Sequence, residues 1–208
     1  MEKPEEKNFF LYKLLNFPFF YLLVQTVLYK KNSKNKIFSE YFGINSDDKV
    51  LEIGCGPGIN RKLIDSDGYI GIDINCNHIN KAKKKYPEEN FLCTDAVNFN
   101  ENINMEIDSI LICHLLHHLN DTNCKILLEN IYDNMMENQS VYLIDIVFKD
   151  KQNFIAKLLA KMDKGNYVRK DSDYLNLFDE NLFNVKIIYE NKLLRLPSDF
   201  IITTLTKK

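Results

Sequence analysis

The chain has 208 residues, of which 45% are hydrophobic and 27% are charged, as in an ordinary globular protein of about one domain. Its 27 basic and 29 acidic residues give a net charge of −2, so the chain lacks the positive field that holds a nucleic acid backbone. These values exclude a largely disordered chain and a collagen-like chain, and they disfavour nucleic acid as the partner.

Residues 1–44 are predicted to form an N-terminal helical extension. Its start, MEKPEEK, is acidic and unlike the basic start of a secretory signal. The apolar, aromatic stretch 9–29 is too interrupted to span a membrane, and the interrupting residues are Lys13, Asn16, Pro18 and Gln25. Three interpretations stay open: packing on the core, a lid over a binding site, or peripheral membrane contact through 9–29.

From Lys49 onward, short strand-like runs alternate with helical stretches, which predicts an α/β domain over 45–208 with a mostly parallel sheet. Pro197 lies between the last two runs, so an antiparallel edge hairpin is expected there. The predicted strands are 49–53, 69–74, 90–95, 107–114, 140–147, 185–190 and 199–206. The predicted helices lie near 59–65, 77–85, 97–102 and 121–137, with further helix in 148–180.

Three glycines at alternate positions follow the first predicted strand, in the run Val50–Gly58. Glycine permits positive φ and close approach of a ligand, and a following helix start offers free N–H groups, so this is a nucleotide-type cradle. Ile59 stands where the dinucleotide fingerprint needs glycine. Ile59 and Asn60 stand where a P-loop needs Lys and Ser or Thr.

The pattern E-x-G-x-G-x-G resembles the first motif of the class I S-adenosylmethionine-dependent methyltransferases. The resemblance continues in order, with a second strand ending at Asp73, a third ending at Asp95-Ala96, and a fourth-strand segment over 107–119. It implies a Rossmann-like, seven-stranded, mostly parallel sheet with helices on both faces and an antiparallel edge hairpin. It also implies S-adenosylmethionine as the cofactor and S-adenosylhomocysteine as the product.

Site roles follow from the resemblance residue by residue. Glu52 is expected to hold the glycine loop and the amino-acid end of the cofactor, Asp73 the ribose hydroxyls, and Asp95 the adenine amino group. The strand end near Cys113 and His114 is expected to run under the methionine part. The full set of expected cofactor-binding residues is Glu52, Gly54, Cys55, Gly56, Gly58, Asp73, Ile74, Asp95, Ala96, Cys113 and His114.

Two missing motifs narrow the methyl acceptor. The [DNS]-P-P-[YFW] motif of exocyclic amino-group methylases is absent after the fourth predicted strand, and no Pro-Cys nucleophile occurs. A small-molecule, or lipid-like, acceptor with an O, N, S or C nucleophile remains. The alternative is a non-catalytic cofactor-binding scaffold or regulatory subunit, whose apolar N-terminal helix would bind a partner. An RNA or protein methylase is a third, weaker interpretation.

His117 and His114 are candidate bases, because histidine titrates near neutral pH. The alternative is that one histidine contacts the cofactor while another packs or caps the next helix. Asp121 is the one carboxylate nearby in sequence, so no metal is predicted. Acceptor binding is expected from an insertion near 148–184 and the N-terminal extension, and the candidates are Tyr167, Arg169, His118 and Tyr21.

The five cysteines are odd in number and none has CxxC spacing, which predicts no disulfide framework and a reducing, cytoplasmic location. Cys55 and Cys113 lie close to the predicted pocket. They are expected to be small apolar fillers rather than nucleophiles.

Overall fold

The computed structural model describes residues 29–208, except positions 31, 102, 104, 105 and 164. Tyr21 and nearly all of the apolar stretch 9–29 therefore lie outside the described residues, and membrane contact through that stretch stays a prediction. Within the described ranges, no helix combines the length and the apolar character needed to cross a bilayer.

One sheet organises the described chain. Its strands are β1 (Lys49–Ile53), β2 (Gly68–Asp73), β3 (Asn90–Cys93), β4 (Ser109–Cys113), β5 (Ser140–Phe148), β6 (Arg169–Lys170), β7 (Phe183–Glu190) and β8 (Phe200–Lys207). Their order is β3-β2-β1-β4-β5-β8-β7, and the two-residue β6 pairs with β5. Strands β1 to β5 pair in parallel, whereas β8 is antiparallel to both β5 and β7. The predicted fold is confirmed, with β6 as the one strand that the sequence did not indicate.

Helices connect the strands. They are α1 (Ser33–Lys36), which continues as a π-helical turn over Ile37–Tyr41, α2 (Cys76–Lys85), α3 (Asp121–Asn134), α4 (Phe154–Met162) and α5 (Asp171–Leu175). The helices predicted near 59–65 and 97–102 are single 3-10 turns, Arg61–Leu63 and Phe99–Glu101. Arg61 donates to the carbonyl oxygens of Ile64 and Ser66, which fixes the chain in a turn instead of a longer helix.

Asparagine begins three of these helices. The side chain of Asn75 accepts from two N–H groups of α2, that of Asn120 from the Asn123 N–H, and that of Asn153 from the Ile155 N–H. Each cap satisfies helix N–H groups that have no partner within the helix, and an Asn-to-Ala change at such a position costs about 0.5–2 kcal/mol.

The two faces of the sheet carry separate cores because side chains alternate along each strand. One core packs α3 and α5 against the sheet and contains Leu51, Ile110, Ile112 and Leu127 among its buried residues. The other core packs α2 and the π-helical turn on the opposite face, around Val50, Leu111, Ile79 and Ile37. Helices therefore cover both faces, as predicted.

Residues 29–44, the described part of the predicted extension, pack on this second core. Ile37 and Phe42 are 3% exposed, and the Phe42 ring lies 5.4 Å from that of Tyr142. Tyr29 forms a β-bridge with Leu194 ahead of β8. The packing interpretation fits this segment, while the boundary at residue 44 stays a prediction.

A disulfide joins Cys76 and Cys93, which the prediction of no disulfide framework did not anticipate. Cys76 opens α2 directly after β2, and Cys93 ends β3, which pairs with β2. Their Cα atoms are 5.1 Å apart, within the range that a disulfide requires. The cysteine argument for a reducing compartment therefore no longer holds, and the cytoplasmic location stays a prediction.

A thiol count tests this pairing. In denaturant without reductant we expect three reactive thiols per chain, those of Cys55, Cys113 and Cys124, and five after reduction. Reduction is expected to cost about 2–4 kcal/mol of unfolding free energy, because it releases a cross-linked loop in the unfolded chain. Five thiols before reduction would contradict the pairing.

Candidate active site

The glycine loop after β1 is held open by its backbone. Gly54, Gly56 and Gly58 have φ of +79°, +56° and +69°, the region that favours glycine. The N–H groups of Gly54 and Cys55 both donate to the Ile72 oxygen of β2, at 2.8 and 2.9 Å. A Cβ atom at position 56 would have no heavy atom within 4 Å. Glycine is therefore required there by the positive φ and not by a steric clash. The loop therefore presents bare backbone at the carboxyl ends of β1 and β2.

Asp73, at the end of β2, organises this loop. Its Oδ2 accepts from the Gly56 N–H at 2.9 Å, and its Oδ1 accepts from the Asn75 N–H at 2.7 Å. Each carboxylate oxygen has a second lone pair, and the side chain is 15% exposed. Asp73 can thus hold the loop and still accept from a ligand hydroxyl pair.

Glu52 is fully buried beneath the loop. Its Oε1 accepts from the Asn60 amide at 2.7 Å and its Oε2 from the Tyr69 hydroxyl at 2.6 Å. Burial raises the pKa of Glu52 to about 7, against the lowering effect of these two hydrogen bonds. Glu52 therefore positions Asn60, which lines the pocket and which sequence reasoning missed. The position of Asn60, two residues after Gly58, was the sequence signal that could have identified it as a pocket residue.

The ends of β2 and β3 form a second rim beside the loop. Ile74 is 71% exposed, an unusual value for an isoleucine that directly follows a buried strand. Asp95 is exposed, and its Oδ1 accepts from the Val97 N–H at 3.0 Å, which leaves Oδ2 available. Ala96 is partly buried next to it. An apolar surface beside a carboxylate suits a flat heterocycle that carries an amino group.

A pocket opens between the glycine loop and the N-terminal segment. The residues that line it come from the loop, from the N-terminal segment, from the end of β4 and from the middle of β5: Tyr29, Lys34, Ile37, Phe38, Gly54, Cys55, Ile59, Asn60, Cys113, His114 and Ile144. Gly54, Cys55, Cys113 and His114 were predicted here. Burial raises the pKa of both thiols, which fits the prediction that they are not nucleophiles. The contribution of Tyr29, Lys34 and Phe38 was missed.

His114 occupies a left-handed backbone conformation at the end of β4, with φ of 57°. Its Nε2 lies 2.7 Å from the Tyr29 hydroxyl, and its backbone N–H donates to the Ile144 oxygen at 2.8 Å. Burial lowers the pKa of His114 to about 4, so the ring is neutral at physiological pH. Strained backbone of this kind is concentrated at functional sites.

His117 does not fit the predicted role of base. It is 2% exposed, its Nδ1 pairs with Asp145, and its Nε2 lies 3.1 Å from Asp163. Burial alone would lower the pKa of His117, but the two carboxylates raise it to about 10. A buried, doubly bonded imidazolium has neither a free lone pair nor access to an acceptor, which corrects the prediction.

Arg169 is likewise committed to the fold. It is 6% exposed and donates to the carbonyl oxygens of Leu116 and Leu119 and to Asp121. These bonds attach β6 to the turn before α3. Arg169 was predicted to bind the methyl acceptor, and its guanidinium is instead occupied by these structural hydrogen bonds. Tyr167 is 42% exposed and His118 is exposed, so both remain accessible.

One group of side chains in the described ranges has donor atoms spaced for a metal ion. Ligand atoms of His117, His118 and Asp163 lie within 4.8 Å of one another. His117 and Asp163 already form an ion pair, and Asp145 balances the same imidazolium. The prediction of no metal stays a prediction.

Comparison with known proteins agrees with this geometry. Residues 50–138 match a family described as a methyltransferase domain. An uncharacterized methyltransferase, OB1106, of Oceanobacillus iheyensis is 31% identical over 143 residues, which are 65% of this chain and 63% of the relative. The chain spans about six-tenths of the length of the curated relatives that it matches.

Solved structures share the fold at low identity. A TehB-like S-adenosylmethionine-dependent methyltransferase of Corynebacterium glutamicum superposes with a TM-score of 0.65 at 15% identity, covering 93% of this chain and 97% of that one. Human N-acetylserotonin methyltransferase, in complex with S-adenosylmethionine, gives 0.69 at 16% identity and covers 99% of this chain and 60% of that one.

The sheet order, the glycine loop, the two strand-end aspartates and these relatives define one class of protein. The methyltransferase-domain match over 50–138, the curated relatives and the shared fold support the class I S-adenosylmethionine-dependent methyltransferases, the family that the E-x-G-x-G-x-G motif indicated.

Proposed function

We propose that this chain transfers a methyl group from S-adenosylmethionine to a nucleophile of a small-molecule acceptor and releases S-adenosylhomocysteine. The observation that carries the proposal is the Asp73 carboxylate bonded to the Gly56 N–H, because it joins the glycine loop to the strand end that recognises ribose in this fold. The methyltransferase match over 50–138 supports it.

The cofactor of this family fits the residues present. We assign the ribose to Asp73, the adenine to Ile74, Asp95 and Ala96, and the methionine part to the pocket beside Cys113 and His114. The three positive-φ glycines, including Gly54, leave backbone exposed where a side chain would fill the cradle. When bound, the cofactor supplies an activated methyl group on a sulfonium, and the protein supplies orientation and a site shielded from water.

His114 is the remaining base candidate, because it lines the pocket and is neutral. Its Nε2 is hydrogen-bonded to Tyr29, so a proton from an acceptor would reach it through, or in place of, the Tyr29 hydroxyl. Acceptor selection is assigned to the exposed side chains of Tyr167 and His118. We propose that the acceptor is a small hydroxylated, amine or lipid-like molecule. At 16% identity, the likeness to N-acetylserotonin methyltransferase does not identify that acceptor.

Calorimetric titration tests the cofactor. We expect S-adenosylmethionine and S-adenosylhomocysteine to bind the full chain with micromolar affinity and NAD not to bind, because Ile59 removes the third glycine of the dinucleotide fingerprint. Binding of NAD, or of neither sulfur compound, would contradict the proposal.

Turnover separates an enzyme from a non-catalytic scaffold. The purified chain is incubated with S-adenosylmethionine and a panel of small hydroxyl, amine, thiol and lipid-like acceptors, and S-adenosylhomocysteine release is measured. Release with at least one acceptor supports catalysis. Tight cofactor binding without release across the panel would favour a scaffold or regulatory subunit.

A further inference from the structure

Helix α4 carries its large apolar side chains on its outer side. It lies against β5, and its buried side chains include those of the small residues Ala156 and Ala160. Phe154 is 78% exposed, and Ile155 and Leu158 are 47% and 46% exposed. A surface helix normally turns its apolar stripe toward the core, so α4 has the opposite arrangement. These three side chains form an outer stripe that is available for contact with an apolar partner.

Lysine side chains border this outer stripe. Lys157 and Lys161 are one helical turn apart and both are exposed, so they lie on the same side of α4. The spacing of an α-helix places this pair next to Phe154 and Leu158 around the helix axis. The helix has the sequence FIAKLLAKM and contains no acidic residue. Its outer surface is therefore apolar in the middle and positive along one edge.

The acidic residues that flank α4 in the chain have partners of their own. Asp150 pairs with Lys170 at 3.9 Å, and Asp163 pairs with the His117 imidazole at 3.1 Å. Lys151, just before the helix, is exposed and adds a further positive charge. The outer side of α4 is thus positive on balance, although the net charge of the whole chain is −2.

An anionic lipid surface complements this arrangement. In interfacial helices the apolar side chains enter the boundary between headgroups and acyl chains, while lysines extend toward the phosphates. A second copy of α4 would bring further lysines and no acidic group to this stripe, so it does not complement the charge. We propose that α4 docks the chain on an anionic bilayer through Phe154, Ile155 and Leu158, with Lys157 at the lipid phosphates.

This docking places the bilayer beside the pocket end of the sheet. Helix α4 begins shortly after β5 ends at Phe148, and β5 runs parallel to β4 and β1, whose carboxyl ends border the pocket. The loop after α4 leads to Tyr167, whose backbone N–H donates to the His117 oxygen at 3.0 Å. The contact does not use residues 9–29, and it goes beyond the proposed function because it requires no cofactor.

Vesicle binding by the full chain tests the proposal. Co-sedimentation is measured without S-adenosylmethionine, on vesicles of phosphatidylcholine with phosphatidylglycerol and on vesicles of phosphatidylcholine alone. We expect tighter binding to the anionic vesicles, and a loss of at least about tenfold when Phe154→Ser and Leu158→Ser are combined. Lys157→Gln is expected to weaken binding to the anionic vesicles about fivefold and to change binding to the neutral vesicles less than about twofold.

Met136→Ser is the matched control, because Met136 is also a large apolar side chain, is 58% exposed and lies outside α4. It should change vesicle binding less than about twofold. An equal loss in the control, or full binding by the double serine variant, would overturn the contact through α4. A concentration-dependent dimer that forms without vesicles and disappears in the double variant would assign the outer stripe to a second copy instead. Failure of vesicle binding leaves the proposed function untouched.

A fluorescent reporter gives a readout that keeps the stripe apolar. The chain has no tryptophan, so Phe154→Trp introduces a single one. We expect its emission to shift to the blue with anionic vesicles and to be quenched by brominated lipids, whereas Met136→Trp should show neither effect. Bound protein with an unchanged Phe154→Trp spectrum would overturn the proposal. So would a clear drop in the urea midpoint of the double serine variant, since it would show that the chain itself covers the stripe.

Discussion

Replacing Asp73 with alanine is expected to weaken S-adenosylmethionine and S-adenosylhomocysteine binding at least about a hundredfold. The substitution removes the acceptor for the Gly56 N–H and for the Asn75 N–H, so the loop loses its attachment to β2 at Gly56 and keeps only the bonds from Gly54 and Cys55 to Ile72. It also removes the carboxylate assigned to the ribose hydroxyls. Both changes weaken binding of the same cofactor. Each lost hydrogen bond to a charged group is expected to cost about 1.5–3 kcal/mol of binding free energy.

Calorimetry on the full chain measures this effect, with thermal unfolding as the check that the fold survives. Asp65→Ala is the matched control, because Asp65 is exposed and lies away from the pocket-lining residues. Asp73→Asn separates the two contributions, since an amide oxygen can still accept from Gly56 but carries no charge. Cofactor affinity that survives Asp73→Ala unchanged would remove Asp73 from the site.

Replacing Asp145 with alanine is expected to cost about 3–5 kcal/mol of unfolding free energy. Asp145 is 2% exposed, pairs with the His117 ring and accepts from the His117 backbone N–H at 3.1 Å. Loss of Asp145 leaves the buried His117 imidazolium with only one of its two carboxylate partners, Asp163. Asp163→Ala should cost less, because the Asp163 side chain is 30% exposed and water can replace it. Urea unfolding of the three proteins measures the difference, and equal costs would contradict this account.

The same network predicts a pH dependence. The pKa of His117 is raised from 6.5 to about 10 by Asp145 and Asp163 despite burial, so its stabilising contribution is complete below about pH 6.5 and is lost as the pH rises toward 10. The pKa of Asp163 is lowered to about 2 by His117 despite burial, so its contribution is present above about pH 3.8 and is lost as the pH falls toward 2. The wild type should therefore lose stability between pH 7 and 10, and His117→Gln should lose less over that range.

Local sequence signals predicted the residues around the glycine loop well. An apolar strand followed by Gly54, Gly56 and Gly58 is compatible with few backbone conformations, so the loop was predictable. Asp73 was predictable because it directly ends the second apolar run of the sequence. The structure places Glu52 and Asp73 at the ends of β1 and β2, where the order of the motifs indicated. It also places Cys55 and Cys113 in the lining of the pocket, as expected. Their binding roles stay proposals that the titrations above test.

Tertiary contacts decided the remaining residues, and no local pattern encodes them. His117 and His118 are adjacent in sequence, yet the loop after α4 packs Gly165 against His117 and leaves His118 exposed. Arg169 resembled a ligand clamp because its partners Leu116, Leu119 and Asp121 lie about fifty positions away. Cys76 and Cys93 meet because β2 and β3 are neighbouring parallel strands. The N-terminal pocket residues meet the glycine loop beyond the carboxyl end of the central strand β1.

The placement of β8 has a consequence for synthesis on the ribosome. Residues 200–207 lie between β5 and β7, so β7 has no partner in the sheet until β8 has been made. Strands β1 to β5 can pair as they emerge, whereas the growing chain exposes the free edge of β5, with Val141, Leu143 and Ile144, until the last strand arrives. Such an edge is a template for pairing with other chains. Strand β8 therefore sets when the edge of β5 is covered, and shortening β8 should increase aggregation and chaperone binding of nascent chains.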